Sequence, residues 1–393
     1  MSVTVSSPGD FLARAAAVQA PVRLARASVF MLSVPQVRVF RSAYGRSAAH
    51  KRMIVVRLED ADGITGWGEA PVSERPLYGT DTAESTWWAL TGLLLPPLLG
   101  ASFTGPAEVA ATWAGFLGQH YAKNAVETAV WAITSARLGI PLARLWGGTR
   151  DTVPVGESFP ICDTIEALTE EVGARVAEGF GRIKLKIAPG WDVAPARAMR
   201  EAFPGLPVSV DANCGYSPGD PALAGLDELG LIMIEQPLPG DALLEMAQLQ
   251  AALRTPLCLD ETASTVGLTA AALALGAGRV VNIKPPRLGG ILPAIAVHDL
   301  CTAQQVPAWC GGMLETGIGR GFNLALAALP GFTLHSDMSP ARMFYARDLV
   351  DPTFDIRPDG GIAVPDRPGN GFPVDPGRVA EATIRSWESD GRD

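Results

Sequence analysis

Cysteine, lysine and unbroken apolar stretches are all scarce in this chain of 393 residues. The five cysteines (Cys162, Cys214, Cys258, Cys301 and Cys310) are an odd number and form no C-x-x-C pair. That spacing excludes a disulfide framework and a cysteine zinc site. It fits a reducing compartment, so a cytoplasmic protein is expected. The most apolar stretch, residues 93–99, is interrupted by Pro96 and Pro97. It falls far short of the roughly 20 residues that a membrane helix needs. No basic run offsets the formal net charge of -9, so neither nucleic acid nor membrane is expected as a partner. Residues 1–26 hold Arg14, Arg23 and Arg26 among Ala, Ser and Val, without a continuous apolar core. They are read as an N-terminal extension and not as an export signal.

Of 32 basic residues only five are lysines: Lys51, Lys123, Lys184, Lys186 and Lys284. Arginine keeps its proton, whereas lysine can release one and act as a base. Where the few lysines sit is therefore informative.

At 48% hydrophobic residues the chain can bury a sizeable core, and its length suggests about two domains. Residues 27–150 read as an α+β unit. Residues 52–58 are rich in β-branched and apolar types, residues 59–63 supply a turn, and residues 64–69 return as a second strand. Residues 85–95 and 122–138 read as helices, the second stopped by Gly139 and Pro141. Beyond Arg150 the character changes. Short apolar runs at 153–159, 183–187, 208–210, 231–234, 257–259, 280–283 and 308–310 alternate with amphipathic segments. Alternating β and α units predict a parallel sheet covered by helices, and this many units favour a barrel over residues 151–350. The tail, 351–393, is rich in Pro and Gly, then polar. A helix is expected at its end, packed back on the first unit.

Polar residues stand where the apolar runs stop. Lys184 and Lys186 end one run, Asp211 and Asn213 the next, Glu235 the next, Asp260 and Glu261 the next, and Lys284 the last. From Lys186 to Asp211 is 25 residues, and the following intervals are 24, 25 and 24. Repeated βα units give such spacing, and in a barrel the strand ends meet at one face. Asp211, Glu235 and Asp260 would then converge and repel one another unless a cation neutralised them. Three hard oxygen donors suit magnesium, with manganese or another divalent ion as alternatives. Lys184 and Lys186, two apart on a strand, point to the same side. Lys184 and a nearby cation would disfavour a second charge at Lys186, which suits Lys186 to act as a base. Lys284 would approach from the opposite side. A cation between two lysines suggests removal of a proton alpha to a carboxylate, through an enediolate. Glu261, beside Asp260, would support the ligands from behind or form a plain ion pair. A lone carboxylate at a strand end commonly caps a helix. Five complementary positions at a regular interval have no such explanation. His50, His120, His298 and His335 show no metal-ligand spacing, and the Gly66 and Gly317 motifs lack a nucleotide-binding context.

The order K-x-K, D-x-N, E-Q-P, D-E, K-P resembles the muconate-lactonizing subgroup of the enolase superfamily. The stretch WCGGMLETGIGR at 309–320 is similar to its o-succinylbenzoate synthase/N-acylamino acid racemase branch, as is DGITGWGEA at 62–70. The resemblance runs from about Ala27 into the tail. It implies a modified (β/α)7β TIM-type barrel under an α+β capping domain, residues 27–150, which the C-terminal tail completes. It implies that Asp211, Glu235 and Asp260 bind magnesium. Lys186 would be the base on one face, and Lys284 the acid/base or cationic stabiliser on the other. Lys184 would orient the carboxylate, and Asn213 would support the metal. Gly311, Gly312, Met313 and Leu314 would contact the substrate side chain, while Tyr44 and Tyr78 would close the pocket from the cap. Arg287 resembles an arginine of racemase-capable members, or is an ordinary loop charge. Cys214, Thr262, Ala263 and Pro286 depart from the pattern beside these residues.

The activity implied is magnesium-dependent dehydration of a cyclohexadiene carboxylate to o-succinylbenzoate, a step of menaquinone synthesis. Racemisation of N-acylamino acids by the same two lysines is the alternative. The expected partner is a small carboxylate, and a homo-oligomer is expected. A mandelate-racemase-type site would need a histidine near the seventh strand, where Cys310 stands. A dipeptide epimerase would need a second Asp near Asp337. A Schiff-base lyase using Lys284 leaves the three carboxylates unexplained. An inactive scaffold protein would be indifferent to chelation and to loss of Lys186.

Overall fold

In the computed structural model, residues 11–391 are described; residues 1–10 of the expected extension lie outside that range. After a short helix, Phe11–Ala16, comes an antiparallel meander of β1 (Val22–Pro35), β2 (His50–Asp60) and β3 (Thr65–Ala70), so the first strand begins within the stretch read as an extension. Its apolar face packs on α1 (His120–Leu138), fifteen residues of which are buried. The Gly66-Trp67-Gly68 motif serves this packing. A Cβ on Gly66 or Gly68 would stand 2.0 or 1.8 Å from the carbonyl oxygens of Ala129 and Ala125. Only glycine lets β3 lie so close to the helix. The helix expected over 85–95 is shorter and irregular. It runs Ala83–Trp88 and then widens, with the Leu95 amide donating to Leu90 O five residues back at 3.1 Å.

Seven parallel strands follow in sequential order: β4 (Glu157–Phe159), β5 (Ile183–Lys186), β6 (Val208–Asp211), β7 (Ile234–Glu235), β8 (Leu257–Leu259), β9 (Val280–Ile283) and β10 (Ala308–Cys310). Residues 332–336 close the ring. Phe332 bridges Ala308, and Ser336 bridges Val155, both in parallel sense. Val208, Val210, Leu257, Leu259, Val281 and Ile283 are fully buried, as strands covered on both faces require. The fold is thus the α/β barrel with a separate N-terminal unit that the spacing and the resemblance predict.

Two local expectations are corrected. The run 153–159 is not one strand: Thr152–Pro154 pairs antiparallel with Gly361–Ala363, and the barrel strand starts only at Glu157. Pro154 and Gly156 interrupt the run between them. The tail ends in a strand and not a helix. After a short helix, Pro376–Ala382, β11 (Thr383–Ser389) pairs antiparallel with β1 along its open edge. The β-favouring Thr383, Ile384 and Trp387 account for that.

Candidate active site

The site is built by register. Lys186 on β5 lies beside Asp211 on β6, and Asp211 lies beside Glu235 on β7, so all three stand at one level. Asp260 directly follows β8, and Lys284 directly follows β9. Five consecutive strands therefore deliver the five residues in spatial order. Asp211, Glu235 and Asp260 are fully buried, and one oxygen of each lies within 4.8 Å of the other two.

The lysines bracket this cluster. Lys186 Nζ donates to Asp211 Oδ2 at 2.6 Å and to Asn213 Oδ1 at 2.8 Å. At the other edge Lys284 Nζ donates to Asp260 Oδ2 at 2.9 Å and to the Tyr78 hydroxyl at 3.1 Å, with the Tyr78 ring beneath it. Lys184 sits below, 3.0 Å from Glu235 and 2.7 Å from Asp337, against the Trp309 ring. Arg287 is no loop charge. It is buried, pairs with Asp260, and donates to the Tyr78 hydroxyl at 2.8 Å and Ala263 O at 2.8 Å. Glu261 accepts from the Tyr44 hydroxyl at 2.6 Å and from Asn213 Nδ2 at 3.2 Å. Asn213 thereby links Glu261 to Lys186, and no ion pair forms at Glu261 among the described residues.

Charge follows from these contacts. Burial raises the Glu235 carboxyl to about 8, and Asp211 beside it adds to that; Lys184 offsets them only in part. Burial acts the same way on Asp260, but Lys284 and Arg287 overcome it and hold that group well below the usual carboxylate range. Asp211 is lowered too, since Lys186 and Lys184 outweigh its burial. Burial opposes the charge on Lys184, yet Asp337, Glu235 and Asp211 raise it well above an ordinary lysine. Burial, then Asp260 and Asp211, push Glu261 up to about 7. Three buried carboxylates, one of them raised by burial and by its acidic neighbour, form a donor set that a hard divalent ion fits and would relieve.

A cavity of about 190 Å³ opens above the cluster. Lys184, Lys186, Lys284 and Asn213 face it from the barrel, Tyr44 and Tyr78 from the cap, and Gly312, Met313 and Leu314 from the loop after β10. Gly311 plays another part: a Cβ there would stand 2.2 Å from Asn282 Oδ1 and 2.6 Å from Lys284 Cε. Asn213, Cys214, Gln236 and Leu314 all adopt left-handed backbone conformations, φ 37–60°. Such conformations in residues with side chains mark sites whose geometry the surroundings enforce.

Sequence reasoning missed several members. Asp337, from the closing segment, pairs with both Arg182 and Lys184. Asn282 Nδ2 donates to Glu235 Oε1 at 2.7 Å. Lys51 and Arg320 also line the cavity. For Lys51 a signal existed, the same scarcity of lysine that singled out the others. Asp337 enters the sequence reading only as a lone acid where an epimerase would need two, with no role of its own; Asn282 gave no signal.

A closed parallel barrel with acids and lysines at its C-terminal strand ends, covered by an α+β unit, is the architecture of an enzyme built for metal-assisted proton transfer. The profile described as "Enolase C-terminal domain-like" matches residues 167–378, and that of the "Mandelate racemase / muconate lactonizing enzyme, N-terminal domain" matches residues 19–147. The chain belongs to the enolase superfamily, in the mandelate racemase and muconate lactonizing enzyme group. It is 42% identical over 334 residues to an o-succinylbenzoate synthase of Geobacillus kaustophilus, covering 85% of this chain and 89% of that one. It is 41% identical over 364 residues to an N-succinylamino acid racemase of Amycolatopsis, covering 92% and 98%. A crystal structure of an enolase superfamily member from Listeria innocua superposes with TM-score 0.89 at 33% identity, covering 93% and 99%.

Proposed function

We propose that this chain dehydrates 2-succinyl-6-hydroxy-2,4-cyclohexadiene-1-carboxylate to o-succinylbenzoate. The observation that carries the proposal is the placing of Lys186 and Lys284 at opposite edges of one three-carboxylate cluster. The substrate follows from the relatives named o-succinylbenzoate synthase. Asp211, Glu235 and Asp260 would hold a divalent ion, which we take to be magnesium. Bound there, it would stabilise the negative charge that develops on the substrate carboxylate. Lys186 takes the alpha proton and breaks the C–H bond. The 6-hydroxyl then takes that proton from Lys186 and departs as water, and the ring becomes aromatic. Lys284 stands across the substrate as a fixed cation beside the developing charge. Lys184 anchors Asp211 and Glu235 and keeps positive charge beneath Lys186. Asn213 and Glu261 orient Lys186 from behind, Arg287 fixes Asp260 and Tyr78, and the loop 311–314 with Tyr44 and Tyr78 encloses the substrate.

A second reading is racemisation of N-succinylamino acids, favoured by the buried Arg287 beside Lys284 and by the relative of that name. Here Lys186 and Lys284 exchange one proton on opposite faces. The division we propose is a cap of residues 27–150, a catalytic barrel of 151–350 and a tail of 351–393 closing the cap, in a cytoplasmic homo-oligomer. Incubation with each substrate, with and without chelator, tests the reading. Magnesium-dependent formation of o-succinylbenzoate is expected; its absence overturns the first activity.

A further inference from the structure

Lys51 is the one lysine lining the cavity that the proton chemistry leaves unused. It projects from β2 of the cap and lines the same cavity as Lys186 and Lys284. It also lines a second hollow in the cap, with Arg46, His50, Arg52 and Arg75, and so stands in the wall between the two. Its Nζ donates to Pro71 O at 3.2 Å and reaches Ser73 Oγ at 3.5 Å. No carboxylate pairs with it among the described residues. The acids that act on it, Glu315 and Glu69, are engaged elsewhere. Glu315 accepts from the Met313 amide and Asn323, and Glu69 from Thr316 and the Gly319 amide. Burial outweighs both acids and lowers Lys51 to about 8. A cation kept in a cavity wall without a counter-ion is costly unless an anion arrives.

We propose that Lys51 receives the second carboxylate of a dicarboxylate substrate, the succinyl terminus, while the first carboxylate lies at the Asp211–Glu235–Asp260 cluster. This rests on the function proposed above. The cyclohexadiene substrate (like its product o-succinylbenzoate) and an N-succinylamino acid each carry two carboxylates, and the second is remote from the carbon that loses its proton. Lys51 would thus set which acyl group is accepted, with no part in the proton transfer.

The test compares N-succinyl- and N-acetylphenylalanine racemisation, and o-succinylbenzoate and benzoate binding by calorimetry, in wild type, Lys51→Met and Lys51→Arg. A charge-assisted contact of this kind is worth about 10- to 100-fold. Lys51→Met should raise KM for the succinyl substrate by that factor with kcat nearly unchanged. It should weaken o-succinylbenzoate equally and leave the acetyl substrate and benzoate alone. Lys51→Arg should restore most of the loss. Equal effects on succinyl and acetyl compounds, or none on either, overturn the assignment while leaving the proposed function standing. If the wild type turns over neither amino acid, the racemase reading fails. Calorimetry then decides alone: undiminished o-succinylbenzoate binding by Lys51→Met overturns the role of Lys51.

Discussion

Lys186→Arg is the substitution that separates charge from proton transfer. The ammonium of Lys186 is held between Asp211 Oδ2 at 2.6 Å and Asn213 Oδ1 at 2.8 Å, with its side chain 15% exposed. A guanidinium can meet the same two oxygens, so the ion pair and the neutralisation of Asp211 survive. Stability should change by less than about 1 kcal/mol. What the guanidinium cannot do is give up its proton. A positioned general base is worth about 10²- to 10⁴-fold. At about 1.4 kcal/mol per decade, that is roughly 3 to 5 kcal/mol of barrier. The whole loss should fall in kcat. Exchange in deuterated buffer gives the sharper assay. With the separate enantiomers of an N-succinylamino acid, proton loss from the face toward Lys186 should stop. Exchange from the face toward Lys284 should persist, because Lys284 and its contacts with Asp260 and Tyr78 are untouched. Exchange of both enantiomers at wild-type rates would refute the assignment of the base. So would equal loss from both faces in a protein that still melts normally and still binds magnesium.

Three further expectations can be checked. Glu235→Gln removes the ligand that burial, with Asp211 beside it, raises to about 8, and should weaken Mn²⁺ binding at least 10-fold by calorimetry; unchanged affinity would place the ion elsewhere. Gly311→Ala forces a methyl into Asn282 and Lys284. It should cut kcat by about 10²-fold with the fold intact by circular dichroism, since small misplacement of a reacting group costs that much; wild-type kcat would show that the loop has slack. Burial raises Glu69 to about 8; hydrogen bonds from Thr316 offset part of this, and Glu315 adds to it. The folded state therefore binds a proton more tightly than the unfolded one. The stability this lends is present below about pH 4.5 and lost as pH rises through 8. Glu69→Gln should flatten the fall of Tm between pH 5 and 8, and parallel Tm curves for the two proteins would contradict it.

The strand ends were legible because two regularities coincide. The 24- and 25-residue intervals report a repeated βα unit, and rare lysines report chemistry that arginine cannot do. Both depend on order along the chain. The role of Asp337 beside Lys184 escaped because the segment that carries it closes the ring through isolated bridges, without a continuous apolar run. Arg287 stayed undecided because nothing local shows that the turn after β9 buries it against Asp260. The strand Thr383–Ser389 read as a helix because the segment is mostly polar; its β-favouring Thr383, Ile384 and Trp387 act only together with the edge that β1 offers. Register and long-range pairing are tertiary facts, and single-sequence periodicity does not contain them.

That last pairing has a consequence for how the chain is made. Leu32 waits for Thr383, 351 positions later. At about 5 to 20 residues per second, synthesis of the intervening chain takes on the order of tens of seconds. Through that time β1 carries a row of unpaired backbone groups on one side, the kind of edge along which nascent chains associate. Residues 383–389 act as a latch: they seal an edge laid down 351 positions earlier.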